Sequence, residues 1–367
     1  MSLTVSKASL LRLCFVLFFL FSVIAYTYEV QIRSDWVLGL LFVRWGFLLA
    51  FCLVCLCFSK NVLPYIFFLS LTFVFYFLGE REHLSYLVLV VFSFALSEQK
   101  EEQVQKLFLR AAFLCSCLIC FIFVLSFLDV IEGKIFVNTL GFAFEVRSGL
   151  GFYNPNPASL LLLACVMIFV AFDRRLLFFF WLLIFWFFQG WLGSRTYIMV
   201  SVVAFLLFFV RQEIRFLRFI YISLIGAIAL FPVLVLWVLN GANYYVFGVD
   251  ANALLSDRLN VIKLAFESPG GLNYIPSADF LTIDPGFINF LGYFGVILYY
   301  ILLGLSLAAI VNERRGGVLI TMIVFLLSNF TENAISPYNL MSLLFFVVIF
   351  ESLRNGRRSP RVENNCI

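Results

Sequence analysis

The chain of 367 residues is 63% hydrophobic and only 13% charged, with 49 phenylalanines and a mean hydropathy of +1.05. That composition excludes a soluble domain, and a net charge of +4 spread over short segments leaves no nucleic-acid footprint. Repeated apolar runs of roughly 17 to 25 residues, the length that crosses hydrocarbon, instead predict an all-α, polytopic membrane protein.

In chain order the runs fall near 8–28, 36–58, 61–78, 83–97, 107–130, 156–172, 175–192, 195–210, 217–240, 285–311, 317–330 and 337–353. These are about twelve transmembrane helices in one domain over 1–353, followed by a basic tail over 354–367. The first run has a basic front but no small-x-small cleavage site, so it reads as a retained anchor. With the N-terminus inside, inner segments and the tail collect 17 of the 25 lysines and arginines, which predicts both termini in the cytoplasm and anionic lipid as their partner. The external loops then lie at about 129–155 and, between the ninth and tenth spans, at 241–284.

Nine cysteines and one histidine exclude little by number alone, but eight of the cysteines sit inside apolar spans and Cys366 lies at the tail. Cys52, Cys55 and Cys57 have no histidine beside them, so small buried hydrophobes are expected and no metal or other cofactor. His83, in a short outer loop, offers no Ser-His or metal-His chemistry.

The polar features gather on the predicted outer face. Asn156-Pro157, Asp284-Pro285 and Ser336-Pro337 each place a capping residue before a proline, so helix N-termini should face outward with N–H groups able to hold an anion. Arg195 stands at the outer end of the eighth span. Arg44 lies inside the second, about 12 Å beyond Trp36, and an intramembrane arginine points to a polar cavity or a partner. Arg147, Asp129 and Glu332 add outer-side charge. Within 241–284 the chain carries Arg258 near the middle and Asp284 at membrane re-entry. Arginines converging with a carboxylate suit displacement of a diphosphate from a sugar carbon: guanidinium groups stabilise the departing oxygens, and the carboxylate takes the proton of the attacking hydroxyl.

Several of these residues stand in an ordered set. Arg147 with Gly151-Phe152-Tyr153-Asn154-Pro155-Asn156, then Gly193-Ser194-Arg195, then Ser256-Asp257-Arg258-Leu259 with Pro269-Gly270-Gly271, then Asp284-Pro285-Gly286-Phe287 with Leu291 and Gly295, resemble the motifs of bacterial Wzy-type O-antigen polymerases and the related O-antigen ligases. The resemblance covers residues 147–295. It implies a membrane glycosyltransferase of the C type, metal-independent and without cofactor, on the periplasmic face of the inner membrane. Such an enzyme moves a growing glycan from undecaprenyl diphosphate onto a lipid-linked repeat unit, with a flippase and a chain-length regulator as pathway partners. Carried over by position, Arg195 and Arg258 would contact the donor diphosphate and Asp284 would supply the base, so these three are the catalytic candidates. Arg147, Asn156, Arg44 and Glu332 are the substrate-binding candidates. Many relatives show Asp-Asn, or in ligases His-Asn or His-Ser, where this chain has Asp284-Pro285-Gly286; aspartate favours a polymerase over a ligase. The rival from another class is a transporter or lipid-linked sugar flippase, although the expected long loops are external rather than midway and internal.

Overall fold

The computed structural model describes residues 6–59, 62–63, 65–66, 70, 81–140, 143–241, 245–246, 249–250, 252, 258–267, 271–274, 280, 283–284 and 286–356. The expected span at 61–78 lies largely outside these residues. So do Ser256-Asp257, Pro269-Gly270, Pro285, the side chain of His83, and the tail from 357 with Cys366.

The described chain is an all-α bundle. Its helices are α1 (Lys7–Ala25), α2 (Tyr28–Gln31), α3 (Ser34–Phe58), α4 (Arg81–Ser97), α5 (Glu101–Phe127), α6 (Pro155–Ala171), α7 (Arg175–Leu192), α8 (Arg195–Phe209), α9 (Ile214–Ala229), α10 (Phe231–Leu239), α11 (Arg258–Glu267), α12 (Gly286–Asn312), α13 (Gly316–Thr331) and α14 (Leu340–Gly356). Among the described residues, six segments are long and apolar enough to cross a membrane: Lys7–Ala25, Asp35–Cys57, Glu101–Phe127, Arg175–Leu192, Ile214–Leu239 and Gly286–Val311. Shorter apolar helices accompany them, including Pro155–Ala171 and Gly316–Phe330. Large apolar side chains such as Phe42, Leu176 and Met199 are exposed on the bundle's outside, as lipid-facing surface requires. The protein is therefore embedded in a membrane.

The short helices α6 and α13 form the centre. Both are apolar all round, as a helix must be when neighbours cover every face. Residues 161–171 of α6 and 318–326 of α13 are buried throughout. α13 packs on α6, α8, α9, α12 and α14. α1 packs on α3 and α5, where Phe15, Phe18 and Phe51 meet Phe92 of α4, and Phe15 meets Phe108, in tilted and edge-to-face pairs. Among the cysteines, Cys14, Cys52, Cys55, Cys115 and Cys165 are buried as expected; Cys57 and Cys117 differ and are exposed on the bundle's outer side.

Two apolar runs that read as continuous spans are interrupted. The run at 217–240 breaks between α9 and α10, where Pro232 has no N–H for the carbonyl of Ile228. The Tyr299 hydroxyl donates to that carbonyl at 2.5 Å, and the Tyr300 hydroxyl donates to Ala229 O at 3.0 Å. The run at 285–311 forms α12, but Gly295 sits at φ 75°, ψ 173° and splits it. The amides of Val296 and Ile297, freed by the break, donate to the carbonyls of Asn273 and Tyr274 at 3.0 and 3.3 Å. Non-helical backbone at membrane depth is tolerable when protein satisfies it, as here.

The segments expected as external loops carry structure absent from the sequence reading. β1 (Ile135–Leu140) and β2 (Ala143–Ser148) form an antiparallel hairpin, and β3 (Tyr245–Val246) pairs with β4 (Val249–Asp250). The segment after β2 then pairs with the end of α1. Tyr28 N donates to Gly151 O, and Tyr153 N donates to Tyr26 O, which pins Tyr26 beside the start of α6. Gly149 is required there, since a Cβ would lie 2.1 Å from Phe152 O. The 241–284 loop also holds α11, whose Leu259, Ile262, Ala265 and Phe266 are buried, so part of it packs onto the bundle.

A polar cavity at the helix ends

At one end of the bundle, the N-termini of α6, α8, α12 and α14 gather around the C-terminus of α13. They enclose a cavity of about 230 Å³ lined by Tyr26, Tyr86, Asn154, Asn156, Tyr197, Asp284, Glu332, Asn333, Ser336, Tyr338 and Asn339, among others. Four helix N-termini at one point favour an anion, because their first N–H groups lack intrahelical acceptors.

Glu332 is the hub. It directly follows α13 and is 8% exposed. Its Oε1 accepts from Arg258 Nη2 at 3.1 Å and from Asn156 Nδ2 at 3.3 Å. Burial raises the Glu332 pKa first and the charge of Asp284 second; Arg258 and Arg147 pull it back, and it stands at about 7. Arg258 opens α11, and the end of that helix is fixed by Asn252, whose Oδ1 accepts from the amides of Leu259 and Asn260 at 3.0 and 3.3 Å.

Asp284 is exposed and turned into the same cavity. Its Oδ1 accepts from the Asn333 amide at 3.2 Å, in the segment after α13. The two carboxylates are tied through backbone as well, because Gly286 N donates to Glu332 O at 3.1 Å. A Cβ at Gly286 would lie 2.1 Å from Asn329 Oδ1, which is already engaged by Ala334 N at 3.0 Å. Buried Asn289 closes the re-entry turn from below: its Oδ1 accepts from Ile283 N at 3.1 Å, and its Nδ2 donates to the Tyr86 hydroxyl at 3.0 Å.

Two expected caps are corrected. Asn154, not Asn156, caps α6; its side chain accepts from Asn156 N at 2.9 Å, and Pro155 takes the first helical position. Asn156 thus sits inside the first turn with its amide directed at Glu332. Similarly, α14 starts at Leu340 rather than at Pro337. Asn339 caps it, accepting from Met341 N at 3.0 Å, while Pro337 and Tyr338 form a turn.

The other candidates lie around this centre. Arg147 is near enough to Glu332 to lower its pKa, and its side chain lies against Gly193, where a Cβ would come within 3.0 Å of Arg147 Cγ. Gly193 takes the left-handed conformation that ends α7, and buried Ser194 precedes α8. Arg195, the first residue of α8, is exposed and does not line the cavity, though Tyr197 in the same turn does. Arg44 is buried at 5% exposure, its guanidinium 4.9 Å from the Tyr338 ring and 5.2 Å from the Trp45 ring. Among the described residues no carboxylate pairs with it, and it backs the wall formed by Tyr338 and Tyr26. Asp129, in the left-handed conformation, belongs to the turn after α5 and stays outside the cavity.

The sequence reading missed Tyr86, Tyr197, Asn289, Asn329, Asn333 and Asn339. A signal existed for three of them: Asn329, Asn333 and Asn339 fall within eleven positions around Glu332, at the end of one apolar run and before the next.

Comparison with protein-family models, with curated proteins and with solved structures finds no match.

Proposed function

We propose that the chain is a polysaccharide polymerase of the bacterial inner membrane, a twelve-span protein with both termini in the cytoplasm and the cavity open to the periplasm. It joins undecaprenyl-diphosphate-linked oligosaccharide repeat units and releases undecaprenyl diphosphate. The observation that carries this reading is the pairing of Arg258 with Glu332, which with Asp284 lines a cavity ringed by helix N-termini. A carboxylate that takes up a proton near neutral pH, next to a permanent cation, suits a reaction that moves one proton and expels one diphosphate.

In this reading the acceptor hydroxyl oxygen bonds to the anomeric carbon of the donor glycan as the bond from that carbon to the diphosphate breaks. The hydroxyl proton passes to Glu332, and the electron pair leaves with the diphosphate. The base role thereby falls to Glu332, while Asp284 binds the acceptor sugar and holds the Glu332 pKa up. Protonated Glu332 grips Arg258 less strongly, so the guanidinium is freed for the leaving diphosphate as negative charge builds there. Arg147 and the α6 and α8 N-termini add positive potential, Arg195 meets the diphosphate at the rim, and Arg44 supports the Tyr338 wall. A second proton-transfer group, a metal and a cofactor have no part in this scheme.

The break at Gly295 favours one other reading, since discontinuous helices around a polar site are common in transporters. Purified protein in liposomes with a lipid-linked repeat unit separates the two. A polymerase lengthens the glycan and releases undecaprenyl diphosphate, whereas a transporter or flippase moves the unit across the bilayer without forming a bond.

A further inference from the structure

The opposite end of the bundle holds a second polar site. Where α1 and α5 begin side by side, a cleft of about 320 Å³ is lined by Arg12, Gln99, Lys100, Glu102, Lys106 and Arg110, with Leu11 and Leu107 at its base. Four cations thus face one acid. Gln103, Lys106, Leu107 and Arg110 share one face of α5 by helical spacing, and that face meets α1.

The ion pairing inside the cleft is incomplete. Glu102 is taken up by Lys106 at 2.5 Å. Arg12 donates through Nε to Ala8 O at 2.8 Å, which orients the guanidinium and leaves its terminal nitrogens for another acceptor. Among the described residues, Arg12, Lys100 and Arg110 form no salt bridge, and Lys100, the residue before α5, acts on the Glu102 carboxylate only through its nearby charge. A cluster of four cations facing a single carboxylate at the end of two membrane-crossing helices calls for an anion.

We infer that this cleft is a binding site for the phosphate of an anionic phospholipid, such as phosphatidylglycerol or cardiolipin. A lipid is favoured over free phosphate because Leu11 and Leu107 floor the cleft and the apolar flanks of α1 and α5 continue from it, giving acyl chains a path that a soluble anion does not use. The site is separate from the cavity around Glu332, and the inference does not depend on the proposed reaction.

The test is native mass spectrometry of the full chain released from detergent with added phosphatidylglycerol, phosphatidylcholine or sn-glycerol phosphate. Bound phosphatidylglycerol should survive at activation that strips phosphatidylcholine. Each lost charge should weaken binding about fivefold, so Arg12→Gln with Arg110→Gln should cost about 25-fold. Arg110→Lys should retain binding, which shows that the fold at the cleft is intact. Equal retention of phosphatidylglycerol by the double variant would overturn the site. So would an equal loss on neutralising the exposed arginines Arg174 and Arg175, because general surface charge would then explain the binding. Binding of glycerol phosphate as tight as that of phosphatidylglycerol would overturn the lipid assignment.

Discussion

Asn156 and Glu332 stand 176 positions apart in the chain and 3.3 Å apart at the cavity. The contact exists because Asn154 takes the cap of α6, leaving the Asn156 amide to reach across to the end of α13. Removing the amide while keeping the helix start isolates its role. Asn156→Ala should leave expression and thermal midpoint nearly unchanged, since one exposed-edge bond contributes about 1 kcal/mol. It should raise the pH at which activity is half-maximal, because Glu332 loses a donor that favours its charged form. An unchanged pH profile would remove Asn156 from the site.

Stability should depend on pH through Glu332. Its pKa is about 7 in the folded protein against 4.5 for the free side chain, so the folded state holds the proton more tightly. The sign follows: folding is not penalised below pH 4.5, and stability falls as pH rises from there to about 7. The full difference is about 3 kcal/mol. Glu332→Gln should flatten that fall in a thermal-denaturation series from pH 5 to 8. A wild-type midpoint that rises over this range would contradict the assignment.

Asp284 and Glu332 should prove electrostatically coupled. Asp284→Asn removes the charge that is the second cause of the high Glu332 pKa. The acidic limb of the pH–rate profile should therefore move to lower pH in this variant, and it should vanish in Glu332→Gln. A limb that vanishes with Asp284→Asn and persists with Glu332→Gln would return the base role to Asp284.

The apolar runs were legible because crossing hydrocarbon requires a minimum length; helices occupy the described ones, and six described segments are long and apolar enough to cross a membrane. Arg44 stood out for a similar reason, as a charge inside a greasy segment, whereas Glu332 was legible only as one outer-side charge among several. The caps were not legible, because Asn154-Pro155-Asn156-Pro157 offers two Asn-Pro starts and only backbone conformation selects the first. The breaks at Gly295 and before Pro232 depend on distant partners, the carbonyls of Asn273 and Tyr274 and the hydroxyls of Tyr299 and Tyr300. No local pattern encodes those meetings. The cavity likewise assembles helix ends that are far apart in the chain, from Tyr26 after α1 to Asn339 before α14.

Gly286 should tolerate no side chain. Gly286→Ala places a Cβ against Asn329 Oδ1, itself fixed by Ala334 N and by the bond from its Nδ2 to Phe325 O. Destabilisation of about 1–3 kcal/mol is expected, read as a lower thermal midpoint in detergent. Adding Asn329→Ala should relieve the clash, so the double variant should lose less than the sum of the two single losses.

Arg258 and Arg195 should separate cleanly. Arg258→Gln leaves a buried carboxylate without its cation and should lower activity about 10²- to 10³-fold, whereas exposed Arg195→Gln should cost less than tenfold. The reverse order would mean that the diphosphate binds outside the cavity.

The central claim is that Glu332 and Arg258 together perform glycosyl transfer. Its most direct measurement is elongation of a purified undecaprenyl-diphosphate-linked repeat unit by the protein in liposomes, with released undecaprenyl diphosphate counted in parallel. The wild type should form a polymer ladder with one undecaprenyl diphosphate released per bond, and Glu332→Gln should slow both by about 10²- to 10⁴-fold at equal protein. Undiminished polymer from Glu332→Gln, or movement of the repeat unit across the bilayer with no bond formed by the wild type, would contradict it.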